Sequence, residues 1–403
     1  MLNILHISYI FFFLLILIIF FKLYIKLKFK FWSYQPVFHY HNIFFWLMTP
    51  GIINSDLPRP NKFCNFFNIS TTTFDERKKR ETEEIVSFLQ NNYLNTKNSK
   101  YIPTFHSFTS NFIGNNIEPL ISTYYKPKSL IHSKSLTVSE HKDIIGIMTT
   151  KCVNITLKEK YTFKANYVDH LCINSDMRKQ DIAPTIIQTH EYIARHKYKN
   201  ISVSLFKSEG KITGIVPLTT YMTAQFDCER IKEHPLPHAS MRLIEINKLN
   251  LSLFMDIIAS KKKTIKCYVL SDFGNILNLI NTNNIKIYGI IQHNILICVY
   301  LFRDSFMDYN GKKAIEFFGS LSNCPNNAIF INGFTLAINK YKKISKASFI
   351  NIETISDNYI IKDYLYLLYS NTTGKNILES PSAYFFYNYR LKTIQSKDVF
   401  ILT

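Results

Sequence analysis

The sequence predicts an α+β protein: two similar units with a mixed, mostly antiparallel sheet, preceded by one transmembrane helix. Three observations carry this expectation. Ile4 to Leu23 is an almost continuous apolar run at the amino terminus. Behind it, short alternating segments, a helical segment and another strand occur in that order twice along the chain. Finally, 403 residues with 47% hydrophobic and 15% aromatic content can bury a core of about two domains.

About 20 apolar residues in a helix span a hydrocarbon core of roughly 30 Å. No basic segment precedes the run and no small-residue cleavage site follows, which argues against a removed signal peptide. Lys22, Lys26, Lys28 and Lys30 flank its carboxyl side. The positive-inside rule keeps those lysines, and the body after them, in the cytosol. A single-pass anchor over residues 1–30 follows.

In the body, Glu83 to Leu94 reads as a helix with Ile85, Phe88, Leu89 and Tyr93 on one face. Ile144–Met148, Cys152–Leu157 and Tyr167–Asn174 read as strands, Pro184–Arg195 as a helix and Ile201–Leu205 as a strand. His234-Pro235-Leu236-Pro237-His238 is the best linker, dividing the body into 31–233 and 234–403. Beyond it come strands at Lys286–Ile291 and Ile295–Phe302, a helix at Ala328–Tyr341 and a strand at Ala347–Ile352. An aromatic strand, Tyr384–Tyr389, and an apolar run ending at Thr403 close the chain, carrying the last α-carboxylate inward.

The net charge of +19 fits an anionic partner or the lysine bias of an AT-rich genome. Lysines are spread without an arginine-rich tail or zinc-finger spacing, so nucleic acid is not expected. Seven scattered cysteines without a CxxC pair indicate neither a metal site nor a disulfide framework.

The segment Asp169 to Pro184 carries the chemistry. A strand there runs into a turn and a helix amino terminus, which offers free amides and a positive dipole end to a pyrophosphate. A bulge in that strand can aim amides at a thioester carbonyl. His170–Pro184, HLCINSDMRKQDIAP, resembles the segment FLCVHKKLRSKRLAP of the glycylpeptide N-myristoyltransferase family. Lys30–Val37 is similar to that family's KFWDTQPV, Ile144–Ile155 to LVGFISAIPANI, Phe349–Asn358 to VFNALDLMEN and Tyr384–Tyr389 to YYLYNW. Order and spacing hold from about residue 30 to 403.

The resemblance implies two fused acetyltransferase-like (GNAT) units, myristoyl-CoA as acyl donor and an amino-terminal glycine amine as acceptor, with no metal and a monomeric chain. It implies that His170 and Leu171 amides hold the thioester oxygen and that the Thr403 carboxylate takes the ammonium proton. Lys30, Phe31, Trp32, Leu171, Cys172, Ile173 and the turn Arg178, Lys179, Gln180, Asp181, Ile182, Ala183, Pro184 would hold the cofactor. Tyr221, Asp227, Asn351 and Asn388 would face the peptide. Cys172 is expected to be a core residue rather than a nucleophile, the His170 ring to pack, and His190 to lie at the surface or an interface.

Three departures accompany the resemblance. RSKR becomes Arg178-Lys179-Gln180-Asp181, where Asp181 is expected to cap the helix but brings negative charge to the phosphates. The family's RYWHRSLN is replaced by Thr220–Asp227, and the tail after Tyr389 is one residue shorter. A related N-acyltransferase with another acyl chain or acceptor, and an inactive membrane-bound binding protein of the same fold, are the alternatives.

Overall fold

The apolar amino-terminal run forms one helix, α1 (Leu2–Lys28), in the computed structural model, which describes residues 2–131, 138–158, 161–210, 214–373 and 377–403. Its stretch His6–Lys28 is long and apolar enough to cross a membrane, and its side chains are almost all exposed. The last turn docks on the body. Ile25 is buried, and the Phe29 ring lies so close to Gly214 that a Cβ there would meet it at 2.8 Å. The short helix α2 (Ile43–Leu47) follows, with the Asn42 side chain accepting from the Phe45 amide.

Up to residue 233 the body contains strands β1 (Gly51–Ile52), β2 (Ile69–Thr73), β3 (Lys100–Tyr101), β4 (Leu120–Ile131), β5 (Val138–Leu157), β6 (Tyr161–Ile173), β7 (Val203–Glu209) and β8 (Thr219–Asp227). Helices α3 (Lys79–Asn92), α4 (Phe105–Ser110) and α5 (Ile182–Lys197) lie among them. Beyond it come β9 (Met241–Ile246), α6 (Leu251–Ser260), β10 (Cys267–Ser271), α7 (Phe273–Asn281), β11 (Ile285–Gln292), β12 (Ile295–Tyr309) and β13 (Lys312–Ser322). Then follow α8 (Asn327–Ser345), β14 (Phe349–Glu353), α9 (Asn358–Thr373), β15 (Leu378–Tyr387), β16 (Tyr389–Arg390) and β17 (Val399–Leu402).

One 15-stranded sheet runs β17-β10-β5-β6-β7-β15-β8-β14-β13-β12-β11-β9, with β2, β3 and β4 beside this path. Among the described residues only β6–β7, β10–β17 and β13–β14 are parallel, so the sheet is mixed and mostly antiparallel, as expected. Strands from both sides of His234–His238 interleave: β15 lies between β7 and β8, and β10 beside β5. β15 is exposed as far as Pro381 and buried from Ser382 on, where it enters the centre of that sheet.

Helix placement follows the apolar periodicity. α3 buries Ile85, Phe88 and Leu89 against Ile121 and Ile147, and α8 buries Phe330, Phe334 and Ile338 against Tyr300 and Phe302. Ile144–Met148 and Cys152–Leu157 are not separate strands. The polar residues between them, Thr149, Thr150 and Lys151, are buried inside a single 20-residue strand, β5.

Candidate active site

The centre of the site is an irregularity between β5 and β6. Ile147 pairs with Cys172 and Thr149 with Asp169, so Met148 alone faces His170 and Leu171. β6 therefore carries the expected bulge. Its extra residue, His170, takes φ 48°, a left-handed conformation that costs a non-glycine residue about 1–2 kcal/mol. Surrounding contacts hold it there. The His170 amide donates to Asp169 Oδ1 at 2.8 Å, and ring Nδ1 lies 3.1 Å from Thr149 Oγ1. The ring is buried, edge-on to Phe108. The ring is thus packed into the core beside the bulge.

β6 and β7 pair in parallel only from Ala165/Val203 to Val168/Phe206. Past Val168 the ladder ends, and a cavity of about 830 Å³ opens beside the bulge. Trp32, Val168, Asp169, His170, Leu171, Phe206 and Thr403 line it. The parallel ladder of β17 on β10, Cys267↔Val399 to Leu270↔Leu402, delivers Thr403 to this cavity from the other side. Thr403 is buried and hydrogen-bonded to the Tyr167 hydroxyl. Burial pushes Tyr167 up to about 12, with Asp169 adding to it and Thr403 opposing it.

Lys151 lies opposite Tyr167 in the β5–β6 ladder and lines the same space. Its Nζ donates to Asn275 Oδ1 at 3.2 Å. Burial lowers its pKa to about 8, partly countered by Asp169. The opposite wall is ionic. Arg303 meets Glu316 at 2.6 Å and Glu353 at 3.7 Å, and Lys207 meets Glu353 at 2.9 Å and Glu209 at 2.6 Å. Burial disfavours the Lys207 charge, but Glu353 and its neighbours outweigh that and hold it well above the usual lysine range. Asp169, Glu191, Glu209, Asp304, Glu316, Glu353 and Glu379 outnumber Lys151, Lys207 and Arg303 in the lining. A chain of charge +19 thus keeps an acidic cavity.

Of the residues anticipated from sequence, Thr403, His170, Leu171, Trp32 and Asn351 come together around this cavity. Trp32 stacks on Phe206 at 5.7 Å, and Asn351 Oδ1 accepts from Gln225. Phe31 is buried edge-on against Trp32 and Phe63, and Lys30 is exposed. Cys172 and Ile173 continue β6 beyond the bulge, and burial raises the Cys172 thiol to about 12, which suits a core residue. Arg178, Lys179, Gln180 and Asp181 form an exposed turn outside the cavity lining, leading into Ile182, Ala183 and Pro184 at the start of α5. Arg178 Nη2 donates to the Asn92 carbonyl at 2.8 Å.

Several residues stand elsewhere than expected. Asp181 occupies the amino-terminal cap position of α5 but makes no side-chain cap bond, because its own φ of 55° turns the side chain away from the first-turn amides. His190 is buried rather than at the surface, bridging Ser122 Oγ and Thr150 Oγ1 at 2.8 Å each. Asn388, at φ 62°, spends its amide on the carbonyls of Asn54 and Ser202, at 2.8 Å each. Tyr221 is buried against Tyr384, and Asp227 caps the turn at Glu229. None of these three lines the cavity. Sequence reasoning passed over Lys151, Tyr167, Lys207, Arg303, Glu316 and Glu353. The available signal was a charged residue in the middle of an otherwise apolar strand.

The bulge, the parted parallel strands and the sheet around them make a fold of acetyltransferase-like type. Residues 55–218 match the family model "Myristoyl-CoA:protein N-myristoyltransferase, N-terminal domain". Two structures of Saccharomyces cerevisiae N-myristoyltransferase with bound myristoyl-CoA are similar to this chain, both at 12% identity over 93% of it. One is covered over 99% of its length with a TM-score of 0.67, the other over 93% with 0.69. A third, with myristoyl-CoA and inhibitors, is similar at 14% identity and a TM-score of 0.65, covering 93% of this chain and 94% of that one. Among curated proteins no sequence match is found. Residues 55–218 thus match that family's N-terminal domain, and the chain shares the fold of these N-myristoyltransferases.

Proposed function

We propose that the protein transfers myristate from myristoyl-CoA to the amino-terminal glycine of proteins, held at a membrane by α1 with its body in the cytosol. Residues 31–233 supply the donor half and 234–403 the acceptor half. The observation that carries this reading is the convergence of the β6 bulge and Thr403 on one acidic cavity. The thioester oxygen faces the amides of His170 and Leu171. The glycine nitrogen attacks the carbonyl carbon, a C–N bond forms, the C–S bond breaks, and the second amine proton leaves on the departing sulfur as the coenzyme thiol.

The attacking amine must first lose a proton, and the Thr403 α-carboxylate is placed to take it. A free carboxyl at about 3.5 and an amine at about 7.8 differ by roughly 4 units, about 5–6 kcal/mol in water. Burial disfavours both charged partners and narrows that gap. Tyr167, bonded to Thr403, fixes where the base sits. The acidic lining favours entry of a cationic amine. Trp32 and the turn Arg178–Pro184 serve the cofactor, and Asn351 faces the peptide.

One observation favours a weaker enzyme or a binding protein: the Asp169 carboxylate already holds the His170 amide at 2.8 Å. A developing oxyanion has to displace it against like-charge repulsion. Incubation of the full chain with myristoyl-CoA and a glycine-starting peptide separates the readings. Transfer adds one myristoyl group to the peptide mass; binding of the donor with an unchanged peptide mass supports the binding protein.

A further inference from the structure

α2 and the residues before it form an apolar surface next to the docked end of α1. Ile43, Phe44 and Leu47 are 72%, 73% and 82% exposed, and Tyr40 and Met48 add to the same patch. Their neighbours face inward, with Phe45 and Trp46 packed on the fully buried Phe38. The position of the patch is fixed by its neighbour in the chain. His41 meets Phe21 edge-on at 6.0 Å, and Phe21 lies inside the stretch His6–Lys28 that can cross a membrane. Asn42 then caps α2 directly. A helix that begins beside a residue of the membrane-crossing stretch lies at the level of the bilayer surface. Arg390, whose guanidinium covers the Phe45 ring at 5.2 Å, brings positive charge to it, and Lys22, Lys26 and Lys28 stand on the neighbouring α1.

We propose that α2 is an interfacial membrane contact: Ile43, Phe44, Leu47 and Met48 enter the headgroup and upper acyl region of an anionic leaflet. This rests on the reading of α1 as the membrane anchor. An apolar face with basic side chains nearby is the pattern that binds such surfaces. The contact sets the orientation of the body, because Trp32, at the cavity, lies on the segment between α1 and α2.

The full chain contains two tryptophans, so Trp32→Phe leaves Trp46 as the sole reporter. This variant is reconstituted into phosphatidylcholine–phosphatidylserine vesicles carrying lipids brominated near the glycerol end of their chains. Resistance to alkaline carbonate extraction is measured on the same sample. Quenching of Trp46, and its loss in a Phe44→Asp/Leu47→Asp variant with an unchanged melting temperature, is the expected result. Unquenched Trp46 in carbonate-resistant protein overturns the contact and leaves the anchor standing. Carbonate-extractable protein with unquenched Trp46 overturns both. Quenching that survives the double substitution assigns the contact to other residues and overturns this one.

Discussion

The two ends of the proposed donor site are built on different principles. At the reacting end, the β6 bulge, Tyr167 and Thr403 are set by strand register, and Tyr167, His170 and Thr403 are buried. At the phosphate end, Arg178–Asp181 is an exposed turn with two non-glycine residues at positive φ, Lys179 and Asp181. Register is a property of the whole sheet, so a reacting end made of backbone amides and a terminal strand tolerates wide side-chain change. A phosphate grip depends on the sign of a few side chains in solvent. One substitution, such as Asp181, alters it without disturbing the fold.

The largest effect expected on the buried side concerns α5, which packs behind the bulge. Burial lowers His190 to about 4 and raises Glu191 to about 7. As pH falls from about 6.5, the unfolded chain protonates its histidine before the folded one does, so His190 costs stability. Over nearly the same window the folded chain takes up a proton on Glu191 first, so Glu191 adds stability. The two offset each other. Glu191→Gln keeps the partner of Ser204 and removes the compensation. Its melting temperature is expected to fall steeply between about pH 6.5 and 4.5, by about 3 kcal/mol of stability, while the wild type stays nearly flat. A flat variant breaks the account of α5.

Next, Tyr167→Phe removes the hydrogen bond to Thr403 and is expected to lower kcat by roughly 10- to 100-fold with little change in donor KM, since a bond to a charged group is worth about 1.5–3 kcal/mol. Asp169→Asn keeps the shape of the bulge but removes the charge that competes with the oxyanion. It is expected to raise kcat by roughly tenfold, a fraction of what one oxyanion donor contributes. The smallest effect belongs to the exposed turn. Asp181→Lys is expected to lower donor KM by about two- to fivefold at low salt and less at high salt, the range of a charge at a helix end. Steady-state kinetics with the glycine peptide read all three. A kcat effect from Asp181→Lys, or a KM effect alone from Tyr167→Phe, would erase the distinction between the two ends.

The sequence was most legible where periodicity and apolar content agree. α1, α3, α5 and α8, and strands β6, β11, β12, β14 and β15, stand close to where their patterns put them. The bulge and Thr403 were legible through motif order. The ionic wall was not, because Lys207, Arg303, Glu316 and Glu353 lie on strands from distant parts of the chain, brought together only by the order β7-β15-β8-β14-β13-β12. α9, with its tyrosines, isoleucines and leucines, carries a β-leaning composition that its packing against β13 and β14 overrides. His190 was read as a surface or interface residue because a lone histidine on a helix gives no sign of two hydroxyl partners on neighbouring strands.

The central claim is that the Thr403 carboxylate is the base. The direct measurement compares myristoyl transfer to a glycine-starting peptide by the chain ending at Thr403 and by the same chain extended a few residues beyond it, with donor binding measured in parallel. The account predicts unchanged donor binding and a loss of transfer by at least about 100-fold in the extended chain. Transfer at the native rate by the extended chain would contradict it.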